Sequence, residues 1–319
     1  MNKISLEDAF NLYFHNEFSF YDFCNLNLEE EYTEFFYSKN TFSPSIKLKK
    51  YQQFLNYIIF DFLEINSNVV FSYRKGVNSY DAIFPHKDSK YIFTTDIQEF
   101  FNHINSENLK KLIISNKEKF QILENDIEKY IDEILNLVTY KGVLPIGSPA
   151  SPKISNAYLF KFDKELEEYC RSMKINYTRY SDDFIFSSND LNLFSDLETM
   201  INKKFLSLGF CDFNLNIKKT KIQKKGFKVV VLGLVITPQG NITVDNKIKK
   251  NIEVLFHFYL MDKEKFRDFF DKNYSSNKQR VSGIISHINS IDKFFISKLR
   301  KKYGSYIVNS FIDRSIDCE

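Results

Sequence analysis

The chain has 319 residues, of which 43% are hydrophobic and 27% charged, and this composition excludes a disordered or fibrous protein. With only 9 Gly and 6 Pro it has no flexible linker, and no run of about 18 apolar residues predicts a membrane-spanning helix. The net charge is only +3, but residues 201–319 hold 23 Lys and Arg against 11 Asp and Glu. A basic C-terminal third is typical of a surface that faces phosphate groups.

Cysteine usage and the N-terminal sequence predict a reduced, cytoplasmic protein with no membrane partner. The N-terminus carries acidic residues and lacks the basic start and apolar core of a signal peptide. No Cys-x-x-Cys spacing occurs, which favours neither a zinc site nor a disulfide framework. The cysteines stand far apart, at Cys24, Cys170, Cys211 and Cys318.

The N-terminal half alternates helical and extended patterns. The first 40 residues show helical patterning, and apolar residues recur at helical spacing over 47–65. The segment "YIFTTDI" predicts a strand that ends at Asp96, and a further helix is predicted at 121–138. The Pro- and Gly-rich stretch that follows excludes regular structure until Pro152 opens a helix to about Cys170.

The C-terminal half changes from strands to helices. A hairpin is predicted in "TRYSDDFIF", a helix at 190–208, and strands in "NLNIKKTKI" and "KVVVLGLVI". After the turn signal "TPQGN", basic helices are predicted at 246–260, 261–272 and 277–302. The pattern predicts an α+β fold, a sheet domain followed by a helical appendage.

Two adjacent aspartates, Asp182 and Asp183, lie at the tip of the predicted hairpin. Ser-Asp-Asp is ordinary turn chemistry, so a simple hairpin turn is one interpretation. Two neighbouring carboxylates repel each other, however, and a divalent cation would offset that repulsion. Asp96, taken alone, is a strand-end or capping aspartate. If its strand lies beside the hairpin, three carboxylates converge as nucleotidyl transfer with two Mg²⁺ ions requires.

Three segments in this order, "TTDIQEFF", "LPIGSPASPKISNAYL" and "YSDD", resemble the active-site motifs of reverse transcriptases. "SYRKGVNSYDAIFPH" is similar to a segment of bacterial retron reverse transcriptases, with Ala82 and His86 in its Asn-Ala-x-x-His-like element. "NIKKTKI" resembles the family's Asn-x-x-Lys-Thr segment, and "LGLVITPQGNITV" with "LRKKYG" resembles a retron thumb. The resemblance covers roughly residues 40–303 and identifies the chain as a member of this family.

The resemblance implies a right-hand polymerase fold with fingers, a palm built on an antiparallel sheet, and a helical thumb. It implies these domains: an N-terminal helical extension at 1–30, fingers at 31–95, a palm at 96–240 with inserted fingers helices at about 105–140, and a basic thumb at 241–319.

The resemblance also implies site residues. Asp96, Asp182 and Asp183 match the metal-binding aspartates, with the backbone of Ile97 as an added ligand for two Mg²⁺ ions. Lys219 matches a lysine that protonates the leaving pyrophosphate, although a surface lysine on a strand is the plainer interpretation. The residues carried over for other roles are Phe101 as steric gate, Lys39, Arg74, Lys75, Gly147, Ser148 and Pro149 for the nucleotide, Tyr180, Ser151 and Asn156 for primer and template, and Lys247, Lys249, Lys250, Arg300, Lys301 and Lys302 for RNA.

Three positions carry alternatives or departures from the family pattern. Without the resemblance, Phe101 is better interpreted as a core aromatic beside Phe100. Ile146 stands where the family has the Gln of Leu-Pro-Gln-Gly, and Leu232 stands where retrons have the Thr of Val-Thr-Gly, an element associated with recognition of the cognate RNA.

The resemblance implies an RNA-directed DNA polymerase of retron type that copies part of a structured noncoding RNA of msr–msd type into msDNA. Its implied partners are that RNA, the msDNA product, dNTPs and a separately encoded effector protein of an anti-phage defence system. The alternatives are another defence-associated reverse transcriptase that makes repetitive or untemplated DNA, a catalytically silent RNA-binding scaffold, and an RNA-directed RNA polymerase, which Phe101 disfavours.

Overall fold

The computed structural model describes residues 3–37 and 39–313, without the side chains of residues 34–41. The predicted mixture of helix and sheet is confirmed. Within the described residues, no helix is long and apolar enough to cross a membrane. The helices are α1 Leu6–Phe14, α2 Phe20–Cys24, α3 Leu28–Glu31, α4 Ile46–Ile58, α5 Ser79–Ile83, α6 Ser106–Ser115, α7 Glu124–Lys129, α8 Ile131–Val138, α9 Ser151–Tyr158, α10 Phe160–Ser172, α11 Leu197–Ser207, α12 Asn246–Met261, α13 Lys263–Tyr274, α14 Lys278–Ile291, α15 Lys293–Tyr303 and α16 Ser305–Ile312.

The strands form three sheets. The first is an antiparallel β1–β2 hairpin, the second has the strand order β4-β5-β3-β6, and the third has the order β7-β8-β9. The strands are β1 Tyr32–Tyr37, β2 Lys39–Pro44, β3 Tyr91–Asp96, β4 Asn176–Tyr180, β5 Asp183–Ser188, β6 Lys221–Lys224, β7 Val229–Val231, β8 Leu234–Ile236 and β9 Ile242–Val244.

The chain divides into two compact units. The first comprises residues 1–78 and 93–222, and the second comprises residues 79–92 and 223–319. The predicted limits of fingers, palm and thumb follow the family resemblance and stay predictions.

Aromatic side chains build the core of the first unit. One cluster joins α1, α2 and α4, where the Phe10 ring lies 4.9 Å from Phe23 and 5.5 Å from Phe54. A second cluster joins α10, α11 and β5, where Phe162 stacks on Phe205 with ring centroids 4.5 Å apart. Because buried aromatic rings contribute large apolar areas, the first cluster holds its three helices together. The second holds α10 and α11 against the sheet that carries the acidic residues, through contacts with Phe184.

Several predicted elements are shorter than the apolar periodicity indicates. The helix predicted at 47–65 ends at Ile58, because Ile59 leaves helical geometry at φ −125°. The helix predicted at 121–138 is broken at Tyr130, and the helix after Pro152 is broken at Leu159. The helix predicted at 190–208 begins only at Leu197. Apolar periodicity does not reveal these breaks, since the exact ends of helices are not set by which positions are apolar.

Two predicted strands are wrong in their extent. "NLNIKKTKI" becomes a strand only at Lys221, because a turn precedes it in which the Asn216 carbonyl accepts the amides of Lys219 and Thr220 at 3.0 Å each. "KVVVLGLVI" is a hairpin of β7 and β8, with positive φ at both turn residues, Leu232 at 49° and Gly233 at 77°. Such angles are those of a two-residue hairpin turn.

The second unit packs β7, β8 and β9 with the C-terminal helices. Strand β9 was not predicted, because three residues are too short for a period to be visible. The helix predicted at 277–302 is two helices, α14 and α15, which meet at Asp292. The Asp292 side chain caps α15 by accepting the Phe295 amide at 2.9 Å.

Candidate active site

The acidic residues lie at one edge of the four-stranded sheet. Asp96 is the last residue of β3, and Asp183 is the first residue of the neighbouring strand β5. The amide of Ile97 donates to the Asp182 carbonyl at 3.1 Å, which joins the end of β3 to the hairpin turn. The predicted neighbourhood of these two strands is therefore present in the structure.

Asp96 is nearly completely buried, with 3% of its surface exposed. Its Oδ2 atom accepts a hydrogen bond from Lys219 Nζ at 2.7 Å and lies 3.5 Å from Asn216 Nδ2. Its Oδ1 atom is buried and has no hydrogen-bond partner among the described residues. A buried carboxylate oxygen without a partner is costly, so this atom favours the approach of a further cation or donor.

Lys219 is brought to Asp96 by the segment that replaces the predicted strand. Residues 214–216 run antiparallel to the end of β3, since Gln98 N donates to Asn214 O at 2.9 Å and Asn216 N to Asp96 O at 2.8 Å. The hydrogen bond to Asp96 raises the pKa of Lys219, partial burial opposes this shift, and the charges of Asp96, Asp182 and Asp183 raise the pKa further. Lys219 is thus a protonated ammonium in the field of all three aspartates.

The donor set fits a hard divalent cation. Mg²⁺ prefers carboxylate and carbonyl oxygens, and the Asp96 Oδ1 atom is such an oxygen, buried and unpaired among the described residues. Among the side chains that the structure describes, however, no three His, Cys, Asp or Glu residues form a ready-made metal cluster. The Lys219 ammonium instead offsets the charge of Asp96.

The turn before the acidic pair has a constrained geometry. Ser181 has φ 60°, a left-handed conformation that a residue with a side chain rarely adopts. Tyr180 pairs across the hairpin with Asp183, and its side chain is partly exposed. The hydroxyl groups of Tyr73 and Ser181 form a hydrogen bond of 2.9 Å, which connects the turn to the segment around residue 73.

The two adjacent phenylalanines after β3 differ in burial. They lie in a short 3₁₀ turn, Phe100–His103, with ring centroids 5.3 Å apart. Phe100 is 2% exposed and contacts Phe213, whereas Phe101 is only partly buried. Phe100 therefore fills the core, whereas Phe101 keeps part of its surface exposed.

The loop after α8 is held by its own backbone and by hydroxyl groups. Gly147 has φ 107°, and a Cβ atom there would lie 2.2 Å from the Phe42 carbonyl oxygen. Ser148 is buried and its Oγ accepts the Ala150 amide at 3.2 Å. The Pro149 carbonyl accepts Asn56 Nδ2 at 2.9 Å, and buried Ser151 donates to the Pro145 carbonyl at 2.8 Å.

Other predicted nucleotide and template residues are placed in different surroundings. Asn156 is buried, with its Oδ1 atom accepting Ser72 Oγ at 3.2 Å. Arg74 Nη1 donates to the Ser67 and Val70 carbonyls, at 2.9 and 2.6 Å, so it braces its own loop. Lys75 is exposed. Lys39 lies in β2, and its side chain lies outside the described ones.

The predicted RNA-contacting residues belong to the second unit. Lys249 forms an ion pair with Asp292 at 2.5 Å and lies over the Phe295 ring. Its positive charge is therefore balanced within the second unit. Arg300 donates to Asn309 Oδ1 at 3.2 Å. The exposed members are Lys247, Lys250, Lys301 and Lys302.

The sequence analysis missed Arg179 and Asp163, which form a completely buried ion pair in the first unit. A signal was available, because Arg179 is a charged residue in the middle of a β-strand pattern. Its partner lies on α10, sixteen positions away, and no local pattern connects the two.

The acidic edge of the sheet, Lys219 and the ordered motifs lie within a span that also matches a known family. The sequence profile of the reverse transcriptase (RNA-dependent DNA polymerase) family matches residues 39–236, more than half of the chain. The chain belongs to the reverse transcriptase family. RNA-directed DNA polymerase activity and the right-hand polymerase fold follow from this membership.

Similar proteins place this reverse transcriptase among the retron enzymes. The chain is 27% identical to retron Ec83 reverse transcriptase of Escherichia coli over 75% of this chain and 74% of that one. It is 26% identical to retron Ec73 reverse transcriptase of E. coli over 83% of both chains, and 26% identical to retron Ec86 reverse transcriptase over 85% and 79%. The predicted retron type is confirmed.

Solved telomerase structures are also similar to this reverse transcriptase. Apo telomerase from Candida tropicalis has a TM-score of 0.43 at 14% identity, covering 92% of this chain and 59% of that one. Candida albicans telomerase bound to a fragment of telomeric RNA has a TM-score of 0.38 at 13% identity, and this chain spans 53% of its length.

Proposed function

We propose that this reverse transcriptase copies part of a structured noncoding RNA of msr–msd type into single-stranded DNA (msDNA) by two-metal nucleotidyl transfer. The observation that carries the proposal is the buried Oδ1 atom of Asp96 beside the acidic turn, which has no hydrogen-bond partner in the described part of the chain. Carboxylate oxygens of this kind are the ligands that Mg²⁺ prefers.

Asp96, Asp182 and Asp183 would hold two Mg²⁺ ions, with the Ile97 carbonyl as an added ligand. Bound there, the ions would make the primer hydroxyl more acidic and hold the triphosphate of the incoming dNTP. Lys219 keeps its proton because Asp96 raises its pKa. Its ammonium is therefore a proton donor for the leaving pyrophosphate once the substrate's charge competes with Asp96.

The remaining site residues surround this centre in the proposed arrangement. Phe101 excludes a ribose 2′-OH, and Tyr180 supports the primer terminus. The loop of Gly147, Ser148 and Pro149 shapes the nucleotide pocket through its backbone, since the position of Ile146 has no amide side chain. Arg74 and Ser151 act by bracing their own segments, as their hydrogen bonds indicate.

The proposed roles of the three domains are those of a right-hand polymerase fold. Fingers at 31–95 and a palm at 96–240 hold the nucleotide and the primer, and a thumb at 241–319 contacts the RNA. The exposed lysines Lys247, Lys250, Lys301 and Lys302 supply positive charge to the phosphates. The proposed partners are the noncoding RNA, the msDNA and a separately encoded effector in anti-phage defence.

The proposal is tested by purifying the protein from cells that carry its native locus and sequencing the RNA and DNA that co-purify. The comparison uses wild type, Asp183→Asn, and Asp196→Asn as a matched control, because Asp196 is exposed and caps no helix through its side chain. We expect one short DNA joined to a locus-encoded RNA in wild type and Asp196→Asn, and RNA without DNA in Asp183→Asn.

Each other outcome points to a different function. Long repetitive or untemplated DNA would identify another class of defence polymerase. RNA without DNA in the wild type would favour an RNA-binding scaffold, and a copied product in Asp183→Asn would remove the acidic pair from catalysis.

A further inference from the structure

The turn that carries the acidic pair needs an external constraint. Ser181 has φ 60°, a left-handed conformation that is unfavourable for a residue with a side chain. Ser181 and Asp182 are the two residues of the turn between the strands, since β4 ends at Tyr180 and β5 begins at Asp183. A shift of the Ser181 peptide would rotate Asp182 and Asp183 away from Asp96.

Arg179 supplies such a constraint through a hydrogen bond to the backbone of the turn. Its side chain is completely buried, and its Nη1 atom donates to the Ser181 carbonyl at 2.8 Å and to Asn156 Oδ1 at 3.2 Å. Its Nε and Nη2 atoms donate to the two carboxylate oxygens of Asp163 at 2.8 and 2.6 Å. This two-point contact fixes the plane of the guanidinium, and so the direction of the Nη1 donor.

Asp163 is itself held in place. It lies on α10 with no exposed surface, and the Tyr177 hydroxyl donates to its Oδ1 atom at 2.8 Å. Burial raises the pKa of the Asp163 carboxyl, and the Arg179 guanidinium opposes that shift. A buried ion pair gives little net stability over apolar residues of similar size, so stability alone does not explain this cluster.

The backbone of Arg179 is clamped as well. Its amide donates to the Val69 carbonyl at 2.7 Å, and its carbonyl accepts the Phe71 amide at 3.0 Å. The same segment continues to Tyr73, whose hydroxyl is hydrogen-bonded to Ser181 Oγ at 2.9 Å. The Ser181 residue is therefore held through its carbonyl by Arg179 and through its side chain by Tyr73.

We propose that Arg179, locked by Asp163, is a positioning residue that fixes the Ser181 carbonyl and thereby aims Asp182 and Asp183 at the Asp96 edge. This inference rests on the proposed metal-binding role of the acidic pair. Arg179 touches no substrate; it acts through the turn. Lysine cannot replace it, because a single ammonium lacks the planar donors that reach both Asp163 and Ser181.

The test measures Mn²⁺ binding by electron paramagnetic resonance on protein with an RNA template and DNA primer, before nucleotide is added. Arg179→Lys is compared with wild type and with Arg171→Lys. Arg171 is a matched control because it also pairs with an acidic residue, Glu167, but on the surface with its side chain 73% exposed. The dissociation constant of the template–primer duplex and the rate of DNA synthesis are measured on the same samples.

We expect Arg179→Lys to raise the Mn²⁺ dissociation constant about tenfold or more, as loss of residues that orient metal ligands does elsewhere. The affinity of Arg179→Lys for the template–primer duplex should stay within about twofold of wild type. The Mn²⁺ dissociation constant of Arg171→Lys should also stay within about twofold of wild type. Tyr177→Phe removes one hydrogen bond to Asp163 and keeps the ring stacked on Phe186. This substitution should weaken Mn²⁺ binding less, by about two- to threefold. If Arg179→Lys does not fold, Tyr177→Phe is used to test the proposal in its place.

Wild-type Mn²⁺ affinity in folded Arg179→Lys, or in Tyr177→Phe when Arg179→Lys does not fold, would overturn the positioning role. Asp183→Asn separates this failure from a failure of the proposed function. If Asp183→Asn also binds Mn²⁺ normally, the acidic pair is not a metal site; if it loses Mn²⁺ while Arg179→Lys does not, only the positioning role fails.

Discussion

Single residues in the site show how charge is balanced before any substrate arrives. Lys219 neutralises one oxygen of Asp96 and leaves the other buried without a partner among the described residues. In the proposed mechanism, this second oxygen is the atom that binds a metal ion. The lysine has 57% of its side chain exposed, so in the proposed mechanism a phosphate can reach it from solvent.

Phe101 gives a prediction at this scale. Phe101→Val should reduce the preference for dNTPs over ribonucleotides by about 10- to 100-fold, because a smaller side chain leaves space for a 2′-OH. Single-nucleotide incorporation with each substrate measures the ratio of kcat/KM. Phe227→Val is the control, since Phe227 is 74% exposed and lies in the second unit. An unchanged ratio in folded Phe101→Val would assign the ring to packing only.

At the scale of elements, Asp96 and Asp183 lie at strand ends, and the turns between elements carry several of the other proposed site residues. The turn before β6 presents Lys219, the tip of the β4–β5 hairpin presents Asp182, and the short turn after β3 presents Phe101. The loop at Gly147 is another such connection. The Phe42 amide of β2 donates a hydrogen bond to the Ile146 carbonyl of this loop at 3.0 Å. This backbone contact needs no particular side chain at 146, which explains how the loop is held with Ile there.

Gly147 provides the prediction for this contact. Gly147→Ala should destabilise the protein by about 3 kcal/mol or more, because its Cβ would lie 2.2 Å from the Phe42 oxygen and its φ of 107° is strained. Gly142→Ala is the matched control, since its φ is 80° but nothing lies within 4 Å of an added Cβ. That variant should lose only about 1–2 kcal/mol from backbone strain.

The free energy of unfolding in urea measures both variants. We also expect DNA synthesis to fall more in Gly147→Ala than its stability loss explains, since the loop borders the proposed nucleotide pocket. Equal loss of unfolding free energy in the two variants would show that β2 moves away from the added Cβ atom at little energetic cost.

At the scale of the whole molecule, charge is divided between two ends of the chain. The acidic surplus lies before residue 200 and the basic surplus after it, with 23 Lys and Arg against 11 Asp and Glu in 201–319. The second unit contains most of that basic segment. An RNA held by this surface would bind mainly through its phosphates, and binding would release counterions.

Salt dependence of RNA binding tests this surface. A plot of log affinity against log salt should be steep for wild type, and Lys301→Gln with Lys302→Gln should reduce its slope by roughly 1.4 to 2. Lys111→Gln is the control, because this exposed lysine is paired with Glu107 in the first unit. A slope unaffected by the double substitution would place the RNA on another surface.

Local patterns in the sequence were sufficient for part of the architecture. The order of the three motifs, the strand ending at Asp96, the hairpin around Asp182 and the mixture of helix and sheet all follow from neighbouring residues. The basic C-terminal third is a property of composition and needs no structure. These features are readable because alternation, turn residues and charge act over a few positions.

Only the tertiary structure decided how the site is held. The turn that replaces the start of a predicted strand places Lys219 against Asp96, 123 positions away. The buried contact of Arg179 with Asp163, the docking of Phe42 on Ile146, and the unequal burial of Phe100 and Phe101 likewise depend on distant segments. The physical reason is that burial and electrostatic pairing are set by which elements meet, whereas periodicity reports only which face of an element is apolar.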